Sequence, residues 1–263
     1  MRTSSPAAQA IVIRAKAPIG DLGGAWMSSA EEEAASAAAG LEGWQLYFLG
    51  RHGVLGDVDP DVVLAAACVF PADHLRREWM AARAVLTPSD ALDRYVEVCH
   101  LWSERHLAGF DGAVRLADLG QQLIDSADVV GLPLFAGWRA VPPPAGEDEV
   151  AAARRCGHVC HVLREHRGAC HGVALAALQL DPLTAILANP DADDPEANAT
   201  DYGWRRPFPV PTDADRALRA EVETLTDDLV ARAYGELAAS ELDELVVLLE
   251  AAHSYVFGGA SGG

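Results

Sequence analysis

The 263-residue chain is short of positive charge: 20 lysines and arginines stand against 39 aspartates and glutamates, a formal net charge of −19. That balance repels a phosphate backbone and steers cationic ligands or partners instead, so nucleic-acid binding is disfavoured. No apolar run reaches the ~20 residues that a membrane span needs. The N-terminal stretch, interrupted by Arg14 and Lys16, does not make a signal peptide. The five cysteines (Cys68, Cys99, Cys156, Cys160 and Cys170) are odd in number and lie in helical pattern. They read as reduced thiols of a cytoplasmic protein, not as a disulfide framework. CxxC, HExxH, P-loop, dinucleotide and nucleophile-elbow patterns are all missing, which gives no ground for a metal or a cofactor.

What is present is helix. Half of the residues are apolar, as expected of a globular chain. Residues 1–27 read as a flexible leader, 28–257 as one mainly helical domain, and 258–263 as a frayed tail. Ser29 and Glu32 form a capping-box signature for a helix near 30–39. The glycines of "GWQLYFLGRHGVLGDV", Gly50, Gly53 and Gly56, suit a tight turn whose backbone N–H groups could face an anion. From Asp59 onward, helices start at prolines and cap residues. Pro142–Pro144 force a loop. Residues 189–212, rich in Pro, Asp and Asn, form an irregular excursion. The predicted fold is a mainly α multi-helix bundle.

Against this acidic background the segment "LREHRGACHG", Leu163–Gly172, gathers cations. At 100° per residue the apolar arc of that helix contains Cys156, Val159, Val162, Leu163, Cys170 and Val173, and also His166 and Arg167. Arg164, Cys160 and His171 lie at its margin; His158, His161 and Glu165 lie opposite. A guanidinium is not buried without a partner. Two readings stay open: an internal salt-bridge cluster, or an anion pocket built from planar arginine forks and histidine donors. Arg51 and His52, with Asp57 nearby, form a second candidate set. Trp138 and Arg139 form a third, for which a loop anchor is the plainer reading. The Cys156/Cys160 and His166/Cys170 pairs share one helix, whereas zinc sites draw on two elements.

Three stretches, "GWQLYFLGRHGVLGDV", "GLPLFAGWRAVP" and "CHVLREHRGACHGVAL", in this order and spacing, resemble a mostly uncharacterised actinobacterial helix-turn-helix-like family, with L-R-E-H-R-G the most specific block. The likeness covers roughly residues 40–250 and marks Arg51, Arg164, Glu165, His166, Arg167 and His171 as motif positions. Where the family carries a winged-helix-like reader, this chain has "NPDADDPEANATDYGWRRPFPVPTD", with no recognition-helix candidate. A divergent, acidic member of this kind is similar to the aziridine-forming proteins of azinomycin-type pathways, which close a ring when an amine displaces a sulfate.

The resemblance implies a cofactor-independent enzyme of specialised-metabolite biosynthesis acting on a small anion-bearing substrate. Arg51, His52, Arg139, Arg164, Arg167 and His171 would bind that substrate, and His166, Glu165 and Asp57 would serve catalysis. The rival is a non-catalytic ligand-binding or sensor protein descended from a regulator. The C-terminal stretch "ELDELVVLLEAAHSYVF" is apolar on more than one face, which points to an oligomer, and to a heteromer with a pathway partner if the cyclase reading holds.

Overall fold

A computed structural model describes residues 6–258. Among these residues there are thirteen α-helices, two short 3-10 turns and no strand. The predicted mainly α bundle is the observed fold. Its axis is α9 (Glu149–Leu178), flanked by α1 (Pro6–Gly24), α6 (Pro88–Leu107), α7 (Ala113–Ser126), α8 (Pro133–Arg139) and α12 (Asp213–Tyr234). The remaining helices are α2 (Ala30–Ala39), α3 (Gln45–His52), α4 (Pro60–Ala67), α5 (Ala72–Arg83), α10 (Pro182–Leu187), α11 (Pro195–Asp201) and α13 (Ala239–Phe257).

The helix boundaries follow local chemistry. Asp59–Pro60, Thr87–Pro88, Asp181–Pro182 and Asp194–Pro195 each place a capping side chain just before a proline at the first helical position. There the missing N–H costs nothing and the fixed φ is already helical. Ser29 accepts from Glu32 N, but the Glu32 carboxylate accepts from Ser36 Oγ at 2.8 Å instead of closing the expected box.

The expectation of a leader over residues 1–27 is corrected from residue 6 onward, and residues 1–5 lie outside the described residues. Residues 6–24 form α1, and Ala8, Ile11, Val12, Ala15, Ile19 and Leu22 are buried along one stripe. Arg14 and Lys16 flank that stripe on opposite sides, where Arg14 pairs with Glu250 and Lys16 with Asp191 and Glu223. Gly23 lets α1 approach α9: a Cβ there would lie 2.5 Å from the Cys160 carbonyl oxygen. The tail assigned to 258–263 lies, beyond Gly258, outside the described residues.

The excursion at 189–212 is irregular at both ends but contains α11. It packs back on the bundle through Trp204, whose Nε1 donates to Val69 O at 3.0 Å. The proline-bounded loop likewise holds a short helix, α8, before Pro142–Pro144. In α13, Leu242, Leu245, Val246, Leu249 and Ala252 are buried against α1 and α7, and Val247 and Tyr255 stay exposed. Much of that helix's apolar surface is therefore covered within the chain.

The glycine stretch is also corrected. Gly50 lies inside α3 and Gly53 opens a 3-10 turn. Both bring α3 onto α6 rather than forming an anion-binding turn: a Cβ on Gly50 would sit 2.5 Å from Tyr95 Cβ and 3.0 Å from Ala91 O. Gly20, in α1, has nothing within 4 Å of its Cβ position. Gly50→Ala is expected to overpack this contact and cost about 1–3 kcal/mol. Gly20→Ala should instead gain about 0.4–1 kcal/mol by restricting the unfolded chain. Urea denaturation midpoints of the two variants test the contrast.

Candidate functional site

Every side chain of the L-R-E-H-R-G block lies on α9, and the helix is enclosed on almost all sides. His158, His161 and Glu165, expected opposite the apolar arc, are buried along with the arc itself. Glu165 is the hub. It takes a bidentate fork from Arg51, Nε to Oε1 at 2.9 Å and Nη2 to Oε2 at 2.8 Å, and a third bond from Arg164 Nη1 to Oε1 at 3.1 Å. Arg51 Nη1 donates to the Tyr47 hydroxyl at 3.0 Å, and the Arg51 carbonyl accepts from Trp138 Nε1 at 3.0 Å. Burial works to raise the Glu165 pKa, but the charge of Arg51 above all, with that of Arg164, overcomes it and holds the carboxyl at about 2. Two guanidiniums thus share one carboxylate, which leaves one positive charge locally uncompensated.

That charge meets solvent at a cleft of about 440 Å3 lined by Gly24, Met27, Glu32, Trp44, Tyr47, Arg164 and Tyr202, among others. The Arg164 side chain is 32% exposed there. Trp44, Tyr47, Phe70 and Tyr202 make an aromatic group beside it, with Trp44–Tyr47 ring centroids 5.0 Å apart and Phe70–Tyr202 centroids 5.2 Å apart. Glu32 supplies a carboxylate to the same cleft, and its pKa is raised by burial. A larger hollow of about 790 Å3, by Asp57, Arg83 and Thr87, is wide open. Its charges are spent on each other: Asp57 pairs with Arg83, and Thr87 caps α6 through Asp90. The smaller cleft is the better site.

The structure therefore sorts the expected residues. Arg51, Arg164 and Glu165 come together, and Arg51 and Glu165 neutralise each other instead of facing a ligand. Arg167 forks between Glu223 and Asp227, the latter at 2.7 Å, as the salt-bridge reading has it. Arg139 donates to the carbonyls of Ala127 and Asp125 and ties the end of α7. Asp57 stands apart at the larger hollow. His52 is buried, with Nδ1 at 3.0 Å from Phe48 O, and His171 Nδ1 lies 3.2 Å from Thr226 Oγ1. His166 packs on Phe135 and lies 3.6 Å from the Cys170 sulfur.

Burial lowers the pKa of each of these histidines: His52 and His161 to about 3, and His100, His158, His166 and His171 to about 4. They are neutral core groups at neutral pH, which removes them as anion-gripping cations. The thiols of Cys68, Cys99 and Cys170 are pushed up by burial, that of Cys170 to about 12. Cys156 is raised by its hydrogen bond with Cys160 and then by burial. Protonated thiols are poor nucleophiles. Among the described residues no cluster of three His, Cys, Asp or Glu side chains is arranged to hold a metal ion, and no helix is long and apolar enough to cross a membrane.

Sequence reasoning passed over Glu32, Trp44, Tyr47 and Tyr202. Tyr47 and Arg51 are four apart on α3, so their shared face could have been read from the helical period. Glu32 and Tyr202 reach the cleft only through the tertiary fold.

Fold and site together define an all-helical protein with one aromatic cleft floored by an arginine–carboxylate network. The model of a helix-turn-helix family matches residues 14–260, and the chain belongs to that family. No curated protein and no solved structure gives a significant match.

Two outcomes follow from the electrostatics. Glu165→Gln leaves the Arg51 charge buried without its counter-ion and should cost about 3–5 kcal/mol. For the pH dependence, each buried histidine has a folded pKa below its unfolded value near 6.5. The unfolded state therefore takes up protons first as pH falls, and stability is lost progressively from about pH 6.5 down towards 4. The Glu165 contribution, from a folded pKa of about 2, is lost only below about 4.5. Urea midpoints should decline steeply between pH 6.5 and 4; a flat profile there would mean that the histidines are not held neutral.

Proposed function

We propose that this protein is a cofactor-independent enzyme of specialised-metabolite biosynthesis. Its cleft takes a small substrate carrying an amine and a neighbouring sulfate ester, and it closes an aziridine ring. The observation that carries the reading is the surplus guanidinium of Arg164, set in the same aromatic cleft as the Glu32 carboxylate. The sulfate would lie on Arg164, whose charge stabilises the departing oxyanion. The amine would face Glu32, whose raised pKa suits a proton acceptor.

In the step itself the substrate's ammonium first gives one proton to Glu32, and the nitrogen lone pair so freed forms a C–N bond at the carbon that bears the sulfate. The C–O bond breaks with its electron pair going to sulfate, and the ring leaves as the aziridinium. Alignment of nucleophile and leaving group supplies the rest, so no cofactor is required. Arg164 and Glu32 thus replace the larger residue set that the sequence suggested, and Glu165, itself held by Arg51, bonds Arg164.

A second reading, a sensor that binds such a ligand without converting it, is favoured by one feature: Arg51, Arg139 and Arg167 are all satisfied internally. The family name alone points to DNA, but the net charge of −19 argues against a phosphate backbone as ligand.

The test incubates the protein, alone and with a candidate pathway partner, with vicinal amino sulfate esters and measures release of inorganic sulfate. Arg164→Ala should reduce turnover by about 100-fold or more, on the scale of losing a transition-state donor, with little change in melting temperature. Arg167→Ala should do the reverse, lowering the melting temperature and sparing turnover in the folded fraction. Binding without sulfate release in both preparations would replace the enzyme by the sensor.

A further inference from the structure

The bond between Arg51 and Tyr47 has a consequence for the ligand. A phenol oxygen that accepts a hydrogen bond still has its own proton to donate. Arg51 Nη1 donates to the Tyr47 hydroxyl at 3.0 Å, and Arg51 cannot rotate away because Glu165 holds its Nε and Nη2 at 2.9 and 2.8 Å. An arginine has no acceptor, so the proton of Tyr47 must point elsewhere, and no acceptor among the described residues takes it. Tyr47 forms part of the cleft wall together with Arg164. Its ring is fixed by edge contacts with Trp44, Phe48 and Tyr95 at centroid distances of 5.0, 5.5 and 6.4 Å. The guanidinium also lies 5.4 Å from the ring centroid, so the phenol is polarised by a cation behind it.

We infer that Tyr47 is a substrate-contacting hydrogen-bond donor that works beside Arg164 on the anionic group of the ligand, and that the Glu165–Arg51 pair acts as its positioning device. The inference rests on the reading of the cleft as a sulfate-ester site. It adds the second donor and gives the buried half of the L-R-E-H-R-G block a role at the cleft. Glu165 orders Arg51, Arg51 fills the lone pair of the phenol, and the O–H is left with one direction.

The probes are inorganic sulfate, titrated by the fluorescence of the cleft tryptophan Trp44, and a series of vicinal amino esters with leaving groups of graded acidity. Tyr47→Phe keeps the ring and removes only the hydroxyl. The expected result is sulfate binding weakened by about tenfold or more, as for loss of a hydrogen bond to a charged group, with the melting temperature nearly unchanged. For turnover, the deficit of Tyr47→Phe should grow as the leaving group becomes poorer, which a packing defect would not produce. Arg51→Lys, if folded, should show the same graded deficit, since an ammonium cannot keep both the carboxylate fork and the phenol bond. If wild type releases no sulfate from any ester but its sulfate binding depends on Tyr47, the cyclase reading fails and the donor stands. Equal sulfate binding by wild type and Tyr47→Phe, or none by wild type, overturns the donor.

Discussion

The buried ion pair between Arg51 and Glu165 is the constraint around which the site is arranged. A carboxylate with no exposure is tolerated in a core only with its counter-charge and its hydrogen bonds in place, and Glu165 takes its bonds from Arg51 and Arg164. The contacts of Arg51 tie several elements together. The Arg51 fork pins α3 to α9, the Arg51 carbonyl holds Trp138 of α8, and its last amino group holds Tyr47 at the cleft. The close approach of α3 to α6 at Gly50 sets how deeply Arg51 enters, since a side chain there would collide with Tyr95. An ammonium in place of Arg51 could serve one of these contacts but not the planar set of them.

The same network leaves the Arg164 guanidinium partly exposed in a strongly acidic chain. Several other arginines are matched by carboxylates: Arg14 with Glu250, Arg115 with Glu244, Arg154 with Glu104, and Arg167 with Glu223 and Asp227. The Arg14 and Arg115 pairs are exposed, contribute little to stability, and weaken in salt. At Glu165 the ratio is reversed, with two guanidiniums to one carboxylate. The histidines around it do not add charge, because burial holds them neutral. Trp26 and Trp138 stand edge-on to His161 at 5.1 and 4.3 Å, an environment in which an imidazolium would be poorly solvated.

Much of the architecture was legible in the sequence because caps, prolines and helical periods act locally. Thr87–Pro88 and Asp59–Pro60 mark helix starts as plainly as any structure does. The first helix was missed because Arg14, Lys16 and Pro18 break the impression of an apolar run, although Ala8, Val12, Ala15, Ile19 and Leu22 keep the helical spacing. The L-R-E-H-R-G block announced an unusual site, but a helical wheel built on apolar residues puts Glu165 on the wet side. What reverses that placement is Arg51, more than a hundred residues away in the chain, and no local pattern encodes the partner. Tyr202 was hidden for a similar reason: it comes from the irregular excursion, whose packing depends on Trp204 meeting the Val69 carbonyl.

The acidic shell also bears on which ligands the proposed site would admit. A simple anion approaching from solution meets the repulsion of nineteen surplus negative charges before it comes within reach of Arg164. That repulsion acts over roughly the 8–10 Å of a Debye length at physiological salt. A molecule that carries both an ammonium and a sulfate ester has no net charge, so the long-range field neither attracts nor rejects it. Inside the cleft the local charges then decide orientation, with the anionic end towards Arg164 and the cationic end towards Glu32. On the proposed reading the acidic surface would slow the approach of a simple anion without excluding it, and Arg164 and Glu32 would orient a zwitterion within the cleft.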